Sequence, residues 1–309
     1  MFDSKFRYRI LSLDGGGSKG VYTLGVLSEL AADLGEPLCD HFDLVYGTST
    51  GAIIASMIAL GASVDTIKSR YFGLIPEVMS HSKATSRTRE LRSHAEKIYG
   101  SAKFETFKID IGIVSTNTSE ETPVIFKSSP QQAIGRQASF TPGFGCSIVD
   151  ALMASTAAYP LFEKQTLTTE HHGEIELMDG GYVANNPTLF AIADALQIPN
   201  VSRNSIDIVS IGVGQYVEPQ KTLYSRIIFS LPSVKLVQTQ LATSTNTIEI
   251  MRNIFFDDVN CIRINDRYVD KKYATDLLEA NTKKLDTMFA LGRKSYGQHQ
   301  SLIQSVFNR

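Results

Sequence analysis

The N-terminal part of the chain alternates between short apolar runs and longer runs with helical periodicity. Arg9–Leu13 and Phe42–Tyr46 are short and mostly apolar, which is typical of buried strands. Val21–Leu34 repeats apolar residues at helical spacing, and Gly51–Leu60 is a helix of small residues. Strands that alternate with helices predict an α/β fold with a mostly parallel central sheet.

Beyond this region the signals continue with less regularity. Asp65–Ser80 predicts a helix interrupted near Pro76, and Ser129–Ser147 is loop-like. Strands are predicted at Phe107–Thr116, Pro123–Phe126, Ile175–Met178, Ile206–Val213 and Cys261–Ile264, and helices at Ile148–Ala158, Pro187–Leu196, Leu223–Phe255 and Tyr273–Val306. Because the sequence contains no repeat or flexible linker, we expect one domain over residues 1–309. Its motif-bearing core spans about 8–214, and the mostly helical region 215–309 packs on it.

The first chemical signal is the pentapeptide Gly47-Thr48-Ser49-Thr50-Gly51 between a predicted strand and a predicted helix. A G-x-S-x-G turn in this context holds a nucleophilic serine on a sharp elbow. The following helix N-terminus adds positive potential near the hydroxyl. A chance match in a loop is the alternative, and the flanking strand and helix argue against it.

The second signal is the glycine-rich loop Asp14-Gly15-Gly16-Gly17-Ser18-Lys19-Gly20. Successive glycines allow backbone N–H groups to converge on an anion, such as the oxyanion of acyl transfer. Its G-x-G-x-x-G spacing also fits a dinucleotide site, but the second strand ends in the serine elbow and not in an acidic residue. Asp14 is interpreted as a structural cap of the loop.

The third signal is Asp179-Gly180-Gly181 at the end of a predicted strand. Alone it indicates an ordinary turn aspartate. The three motifs in this order resemble the patatin-like phospholipases, with the pattern D-G-G-G-x-x-G, G-x-S-x-G and D-G-G/A. The segment from Ala154 to Phe162 is similar to the family's A-S-x-A-A-P-x-Y-F, with the proline and aromatic residues shifted.

The resemblance covers roughly Tyr8 to Gly214 and implies a three-layer α/β/α fold of the patatin type. It implies that Ser49 is the nucleophile, that Asp179 is its general base, and that the N–H groups of Gly15, Gly16 and Gly17 form the oxyanion hole. A carboxylate is a weak base for an alcohol, and burial in an apolar crevice would raise its pKa. Neither a cofactor nor a metal ion is expected.

Histidine offers an alternative base. Of the six histidines, His299 alone follows the serine–acid–histidine order of α/β-hydrolases, and a solvated helix position is its simpler interpretation. His171 and His172 lack a third metal ligand at a recognisable spacing and fit an exposed hairpin. A nucleotide-binding oxidoreductase and a non-catalytic binding module remain the alternative functions.

The composition restricts the possible partners and the cellular location of the protein. The chain has 309 residues and a formal net charge of −2, which argues against a nucleic acid polymer as partner. Cys39, Cys146 and Cys261 form no disulfide or metal spacing and suggest a reducing cytoplasm. The N-terminus does not resemble a signal peptide, and the longest apolar stretch, Ala52–Leu60, is too short to span a bilayer. A lipid substrate is therefore met peripherally, from the water side of the inner membrane face.

Two segments are candidates for contact with the substrate or with a regulator. One is the apolar segment Tyr71–Pro76 with Val78-Met79, which fits a membrane-facing flap or, more simply, a core helix. The other is a basic run, which fits contact with lipid headgroups, binding of a phosphate-bearing regulator, or a solvated face. It consists of Lys83, Arg87, Arg89, Arg92, His94 and Lys97. The resemblance extends to compact bacterial antiviral effectors that a cyclic nucleotide activates. It implies a phospholipid membrane as substrate and leaves a homo-oligomer open.

Overall fold

The structure is a computed structural model that describes residues 6–133, 139–170, 173–217 and 232–307. Within them the strands are β1 Tyr8–Leu13, β2 Leu44–Thr48, β3 Asp110–Asn117, β4 Thr122–Lys127, β5 Gln165–Thr169, β6 Gly173–Asp179, β7 Ile206–Ile211, β8 Gln215–Tyr216, β9 Asn260–Ile264 and β10 Arg267–Tyr268. The α-helices are α1 Gly20–Leu34, α2 Thr50–Ala59, α3 Val64–Met79, α4 Ala84–Tyr99, α5 Ile148–Ser155, α6 Gly181–Ala184, α7 Thr188–Ala195, α8 Pro232–Phe255 and α9 Thr282–Phe307.

A mixed sheet lies at the centre of the described residues, in the order β5-β6-β3-β2-β1-β7-β9, with β4 on the other side of β3. The strands β3, β2, β1, β7 and β9 are parallel, whereas β4, β5 and β6 pair antiparallel. The small strands β8 and β10 form a separate pair. The predicted α/β class with a mostly parallel sheet is confirmed.

The alternation of side chains along the strands produces two cores. Tyr8 and Ile10 of β1 pack with α6 and α7 on one face of the sheet. Leu11 and Leu13 point to the other face, where α1 to α5 and α9 cover them. Helices therefore lie on both faces, which confirms the three-layer α/β/α arrangement.

The register around β3 brings two distant strand ends together. On one side of β3, the residues from Gly112 to Asn117 pair with β4. On the other side β2 pairs with β3 as far as Val114, and β6 pairs with it from Ser115 onward. Because β2 is parallel and β6 antiparallel to β3, their C-terminal ends meet head to head. Ser49 and Asp179 lie at that junction.

Close helix packing joins the C-terminal helix to the N-terminal one. A Cβ atom at Gly25 of α1 would lie 2.1 Å from the carbonyl oxygen of Phe289, and one at Gly292 of α9 would lie 2.1 Å from that of Tyr22. Glycine at both positions lets the backbones approach. The hydroxyl of Tyr22 donates to Ser295 Oγ at 2.7 Å across the same contact.

Several predicted boundaries were wrong. The helix α3 runs through Pro76 without interruption, because Leu74, Ile75 and Val78 hold it in the core. The predicted helix Ile148–Ala158 ends at Ser155, and the basic run is largely helical, as α4.

The predicted helix Tyr273–Val306 begins only at Thr282. In the preceding segment, side chains compete for the backbone N–H groups that a helix needs. Asp276 Oδ1 accepts from the N–H of Leu278 at 2.9 Å, and Glu279 Oε1 accepts from that of Asn281 at 3.0 Å. The strand β5 was missed. Of the predicted helix Leu223–Phe255, the part from Pro232 is helical, and residues 218–231 lie outside the described ranges, as do 134–138, His171 and His172.

Candidate active site

The serine elbow is fixed by two glycines that no other residue could replace. Ser49 has φ 53° and ψ −122°, a strained conformation for a residue with a side chain. A Cβ atom at Gly47 would lie 2.5 Å from the carbonyl oxygen of Gly51, and one at Gly51 would lie 2.3 Å from that of Leu13. The close packing of β1, β2 and α2 therefore requires the G-x-S-x-G sequence.

Ser49 and Asp179 are in direct contact. The hydroxyl of Ser49 donates to Asp179 Oδ2 at 2.6 Å. The N–H of Gly181 donates to the other carboxylate oxygen, Oδ1, at 2.7 Å. Since each oxygen is held by a separate donor, the carboxylate is oriented with one oxygen toward the serine hydroxyl.

Burial changes the proton affinity of this carboxylate. Asp179 is 1% exposed, and burial raises its pKa to about 6, although the hydrogen bonds from Ser49 and Gly181 act in the opposite direction. The carboxylate is still ionised at neutral pH. It is a stronger base than an exposed aspartate, and a carboxylate that activates an alcohol needs this greater proton affinity.

Ser155 bridges the junction between the ends of β2 and β6. The backbone N–H of Ser49 donates to Ser155 Oγ at 2.9 Å, and Ser155 Oγ donates to the carbonyl of Val114 at 2.6 Å. The N–H of Gly180 donates to the Ser155 carbonyl at 3.2 Å. Ser155 thus contacts the elbow, β3 and the aspartate segment. The sequence pointed to it only as part of the segment Ala154 to Phe162.

The three predicted oxyanion glycines differ in their bonding. The N–H of Gly15 donates to the carbonyl of Asn185 at 3.0 Å, so it is already engaged. The N–H of Gly16 makes a longer contact of 3.2 Å with Thr50 Oγ1. The N–H of Gly17 has no acceptor among the described residues, and this residue has a φ of +58°. Gly16 and Gly17 border the Ser49 pocket, whereas Gly15 does not.

The pocket at Ser49 is apolar and narrow. Its walls include Leu74, Ile75, Val78, Leu91 and Phe162, and its volume is about 50 Å³. An engineered apolar cavity of roughly 150 Å³ is large enough for benzene. The enclosed part of the pocket is therefore too small to hold a long acyl chain.

The segment considered as a flap forms part of that wall. Tyr71, Leu74, Ile75 and Val78 are buried residues of α3. Tyr71 donates its hydroxyl to the carbonyl of Gly17 at 2.8 Å, which ties α3 to the glycine loop. The core-helix interpretation is correct, and the buried face of this helix lines the pocket.

Asp14 has the structural role that the sequence suggested, through a partner that the sequence did not reveal. Arg263 of β9 donates from both terminal nitrogens to the Asp14 carboxylate, at 2.7 Å to Oδ1 and 2.5 Å to Oδ2. Burial raises the pKa of Asp14, and the Arg263 guanidinium acts against that rise. The pair anchors the start of the glycine loop to the sheet.

The remaining predicted residues lie in other environments. His299 is on α9, where its Nδ1 lies 2.9 Å from the carbonyl of Ser295, and no histidine borders the Ser49 pocket among the described residues. Arg87 of the basic run is buried, and Arg92 bonds to Asp150 and Gln165. The run is therefore not one exposed basic patch.

One group of side chains could hold a metal ion. Ligand atoms of Glu77, Glu90 and His94 lie within 4.8 Å of one another on α3 and α4. The imidazole Nε2 already contacts Glu77 Oε2 at 2.6 Å, and the carboxylate of Glu77 is largely exposed. This contact between the imidazole and the Glu77 carboxylate accounts for the grouping.

Comparison with known proteins agrees with this geometry. The sequence profile of the patatin-like phospholipases matches residues 11–192. The chain belongs to the patatin-like phospholipase family. Membership makes it a lipid acyl hydrolase, and the oxidoreductase alternative is not favoured.

Relatives and a solved structure extend the comparison. The chain is 47% identical over 296 residues to the cUMP-AMP-activated phospholipase of Escherichia coli, covering 96% of this chain and 92% of that protein. It is 27% identical over 248 residues to a cGAMP-activated phospholipase of Escherichia coli strain TW11681, covering 72% and 67%. The crystal structure of VipD from Legionella pneumophila matches with a TM-score of 0.52 and 14% identity, over 94% of this chain and 66% of VipD. This last match shows the fold alone.

Among the described residues, no helix combines the length and the apolar character needed to cross a bilayer.

Proposed function

We propose that the protein hydrolyses ester bonds of membrane phospholipids, with Ser49 as nucleophile and Asp179 as general base. The observation that carries this proposal is the 2.6 Å hydrogen bond between Ser49 Oγ and Asp179 Oδ2 at an apolar pocket. The pocket provides a surface for the acyl chain, and the strained elbow presents the hydroxyl to it.

The reaction proceeds in two acyl transfers. Asp179 takes the hydroxyl proton while Ser49 Oγ attacks the acyl carbonyl, and it then returns that proton to the departing alcohol oxygen. A water molecule next loses a proton to Asp179 and attacks the acyl-serine. As the bond between the acyl carbon and Ser49 Oγ breaks, Asp179 returns that proton to Ser49 Oγ, which releases the fatty acid and restores both residues. The N–H groups of Gly16 and Gly17 stabilise the oxyanion, whereas the N–H of Gly15 supports the loop through Asn185.

Replacement of each dyad residue tests the assignment. We expect Ser49→Ala and Asp179→Ala to lower fatty acid release from phospholipid vesicles by on the order of 10⁴-fold, because the two side chains act as a unit. Ser301→Ala and Asp286→Ala, on the exposed part of α9, serve as matched controls. Mass spectrometry of the lipids measures the release. If the Asp179→Ala protein stays active and the His299→Ala protein does not, the dyad is wrong and a triad that includes His299 is right.

We further propose that a cyclic nucleotide activates the hydrolase. Two relatives bear this property in their names, and one of them is 47% identical along almost its whole length. The narrow acyl pocket is consistent with the proposal, because an activator that widens it would make room for a longer acyl chain. Vesicle hydrolysis should rise at least tenfold with cUMP-AMP or cGAMP, and an unchanged rate with both compounds would refute activation.

The membrane surface is the proposed place of action. We infer that the protein binds peripherally to the inner face of the membrane, as a defence effector that degrades it. Co-flotation with phospholipid vesicles tests the binding. A homo-oligomer stays a prediction, to be measured by light scattering with and without nucleotide.

A further inference from the structure

A second apolar cavity lies beyond the acyl pocket, among α2, α3, α4 and α5. Its volume is about 20 Å³. Neither Ser49 nor Asp179 borders it, whereas four of its lining residues border the acyl pocket as well. These four residues, which we call the shared wall, are Ile53, Leu74, Leu91 and Thr156. The second cavity is therefore separated from the acyl pocket by the thickness of single side chains.

The lining of the second cavity suits hydrocarbon. Thr156 Oγ1 donates to the carbonyl of Leu152 at 2.7 Å, and Tyr99 Oη lies 2.6 Å from Ser56 Oγ, so both hydroxyls already have partners in the protein. The other residues beyond the shared wall are His94, Ala95, Ile98 and Met153. A polar group would lose its hydrogen bonds to water in this place, whereas hydrocarbon gains dispersion contacts.

Two helices lead from the nucleophile to the second cavity. Ser49 immediately precedes α2, and Ile53 of the shared wall lies one turn further on, about 6 Å along the helix axis. Ser155, whose Oγ accepts from the Ser49 N–H at 2.9 Å, is the last residue of α5. Leu152, at the second cavity, lies one turn before it. An acyl chain that leaves Ser49 between these helices meets the shared wall first and the second cavity behind it.

One face of α4 continues from the acyl pocket into the second cavity. Leu91, His94, Ala95, Ile98 and Tyr99 border the second cavity at the spacing of a single helix face. Of these five, Leu91 alone also borders the acyl pocket. Ala95 lies one turn beyond Leu91 on the same face. A larger side chain at position 95 would therefore occupy the space behind position 91.

We propose that the shared wall selects the length of the acyl chain, an inference that rests on the hydrolysis proposed above. Ile53, Leu74 and Leu91 are each 7% exposed, so their side chains are packed at the boundary between the two cavities. A short acyl chain ends at this boundary. A longer chain extends into the second cavity only as far as these side chains admit it, and each methylene that becomes buried there favours the substrate about fourfold.

Leu91→Ala tests the wall, because it should join the two cavities. We expect the ratio of kcat/KM for para-nitrophenyl octanoate to kcat/KM for the butanoate to rise roughly tenfold, since the opened space admits about two more methylenes. The ratio does not depend on the fraction of active protein, so partial unfolding does not imitate the effect. Leu91→Val, which removes less of the side chain, should raise the ratio by a smaller factor.

A second substitution and a matched control complete the test. Ala95→Leu in the Leu91→Ala protein refills the opened space, and we expect it to return the ratio to the wild-type value. Leu167→Ala is the matched control, because Leu167 of β5 is 8% exposed and borders neither cavity. It removes the same atoms from the core, and the ratio should stay at the wild-type value.

The possible outcomes separate this inference from the proposed hydrolysis. If both esters are hydrolysed but the two Leu91 variants keep the wild-type ratio, the wall does not select chain length and the hydrolysis stands. If Leu167→Ala raises the ratio as much as Leu91→Ala does, a general loosening of the core is the cause and the inference is wrong. If the wild type hydrolyses neither ester, with or without cUMP-AMP, both proposals fail. A raised ratio that Ala95→Leu reverses supports the inference.

Discussion

Two buried aspartates lie at corresponding places in the sheet and have different partners. Asp14 follows β1, and Asp179 is the last residue of β6, each beside glycines. Their exposed fractions are 2% and 1%. Asp14 is bonded to the guanidinium of Arg263, whereas the donors to Asp179 within the described part of the chain are uncharged, namely the Ser49 hydroxyl and the Gly181 N–H.

The partner determines what each carboxylate can do. Burial raises the pKa of both groups. A cation next to Asp14 stabilises its charged form and makes it an anchor. Asp179 has no cation among the described residues to stabilise its charge, so it readily accepts a proton. A buried carboxylate without a counter-ion costs stability and provides a base.

The largest effect should follow from removal of the Arg263 charge. Arg263→Met leaves the Asp14 carboxylate buried without its partner, and we expect the free energy of unfolding to fall by about 3–5 kcal/mol. Urea denaturation followed by circular dichroism measures this. Lys272→Met removes an exposed partner of Asp270 and should cause no measurable change. Equal stabilities of the Arg263 variant and the wild type would show that the pair does not anchor the loop.

Asp179→Asn should have the opposite effect on stability. The folded-state pKa of Asp179 is raised from 3.8 to about 6, so ionisation at neutral pH disfavours the fold by up to about 3 kcal/mol. The wild type loses this stability as the pH rises from about 4 through about 6, whereas asparagine does not titrate. The variant should therefore be inactive and more stable above pH 6, and the advantage should vanish below pH 4.

Asp14→Asn is the matched comparison for that variant. It leaves Arg263 buried without its counter-ion, and it should destabilise the protein at neutral pH. Thermal denaturation between pH 4 and pH 8 measures both variants. If both substitutions shift stability in the same direction, the proposed difference between the two aspartates is wrong.

The sequence revealed the serine elbow, the aspartate and the glycine loop because each depends on local geometry. Gly47 and Gly51 are required by contacts within the elbow and with the adjacent junction between β1 and the glycine loop. The pattern is therefore contained in five consecutive residues. The strand β5 left no such signal, because Leu167 is the one apolar residue of Gln165–Thr169 and the alternation of buried and exposed side chains along it is visible only in the structure.

Long-range partners could not be predicted in the same way. Arg263 lies 249 positions from Asp14, and nothing in the neighbourhood of either residue identifies the other. Asn185 lies 170 positions from Gly15, and its two bonds to that residue depend on the placement of α6 beside the loop. Pairings of this kind follow from the tertiary fold.

Ser155→Ala tests whether the geometry of Ser49, as well as the proton affinity of Asp179, limits the reaction. The substitution removes the acceptor for the Ser49 N–H and the donor for the Val114 carbonyl. We expect kcat to fall on the order of 10- to 100-fold with little change in KM, because the hydroxyl is displaced while the acyl pocket is intact. Ser56→Ala is the control, since its buried hydroxyl bonds to Ile53 and Tyr99 on α2 and α4. A loss confined to KM would contradict a positioning role.

The pH profile gives the smallest effect and the finest distinction between the two aspartates. If Asp179 is the base, kcat/KM should rise tenfold per pH unit below about 6 and reach a plateau above it, because its carboxylate must be ionised. A soluble ester substrate avoids the charge of a membrane surface, and measurement from pH 4.5 to 8.5 covers the transition. His299→Ala should leave the profile unchanged. A half-maximal rate near pH 7 that moves in this variant would point to an imidazole base, and the difference between Asp14 and Asp179 would then concern stability alone.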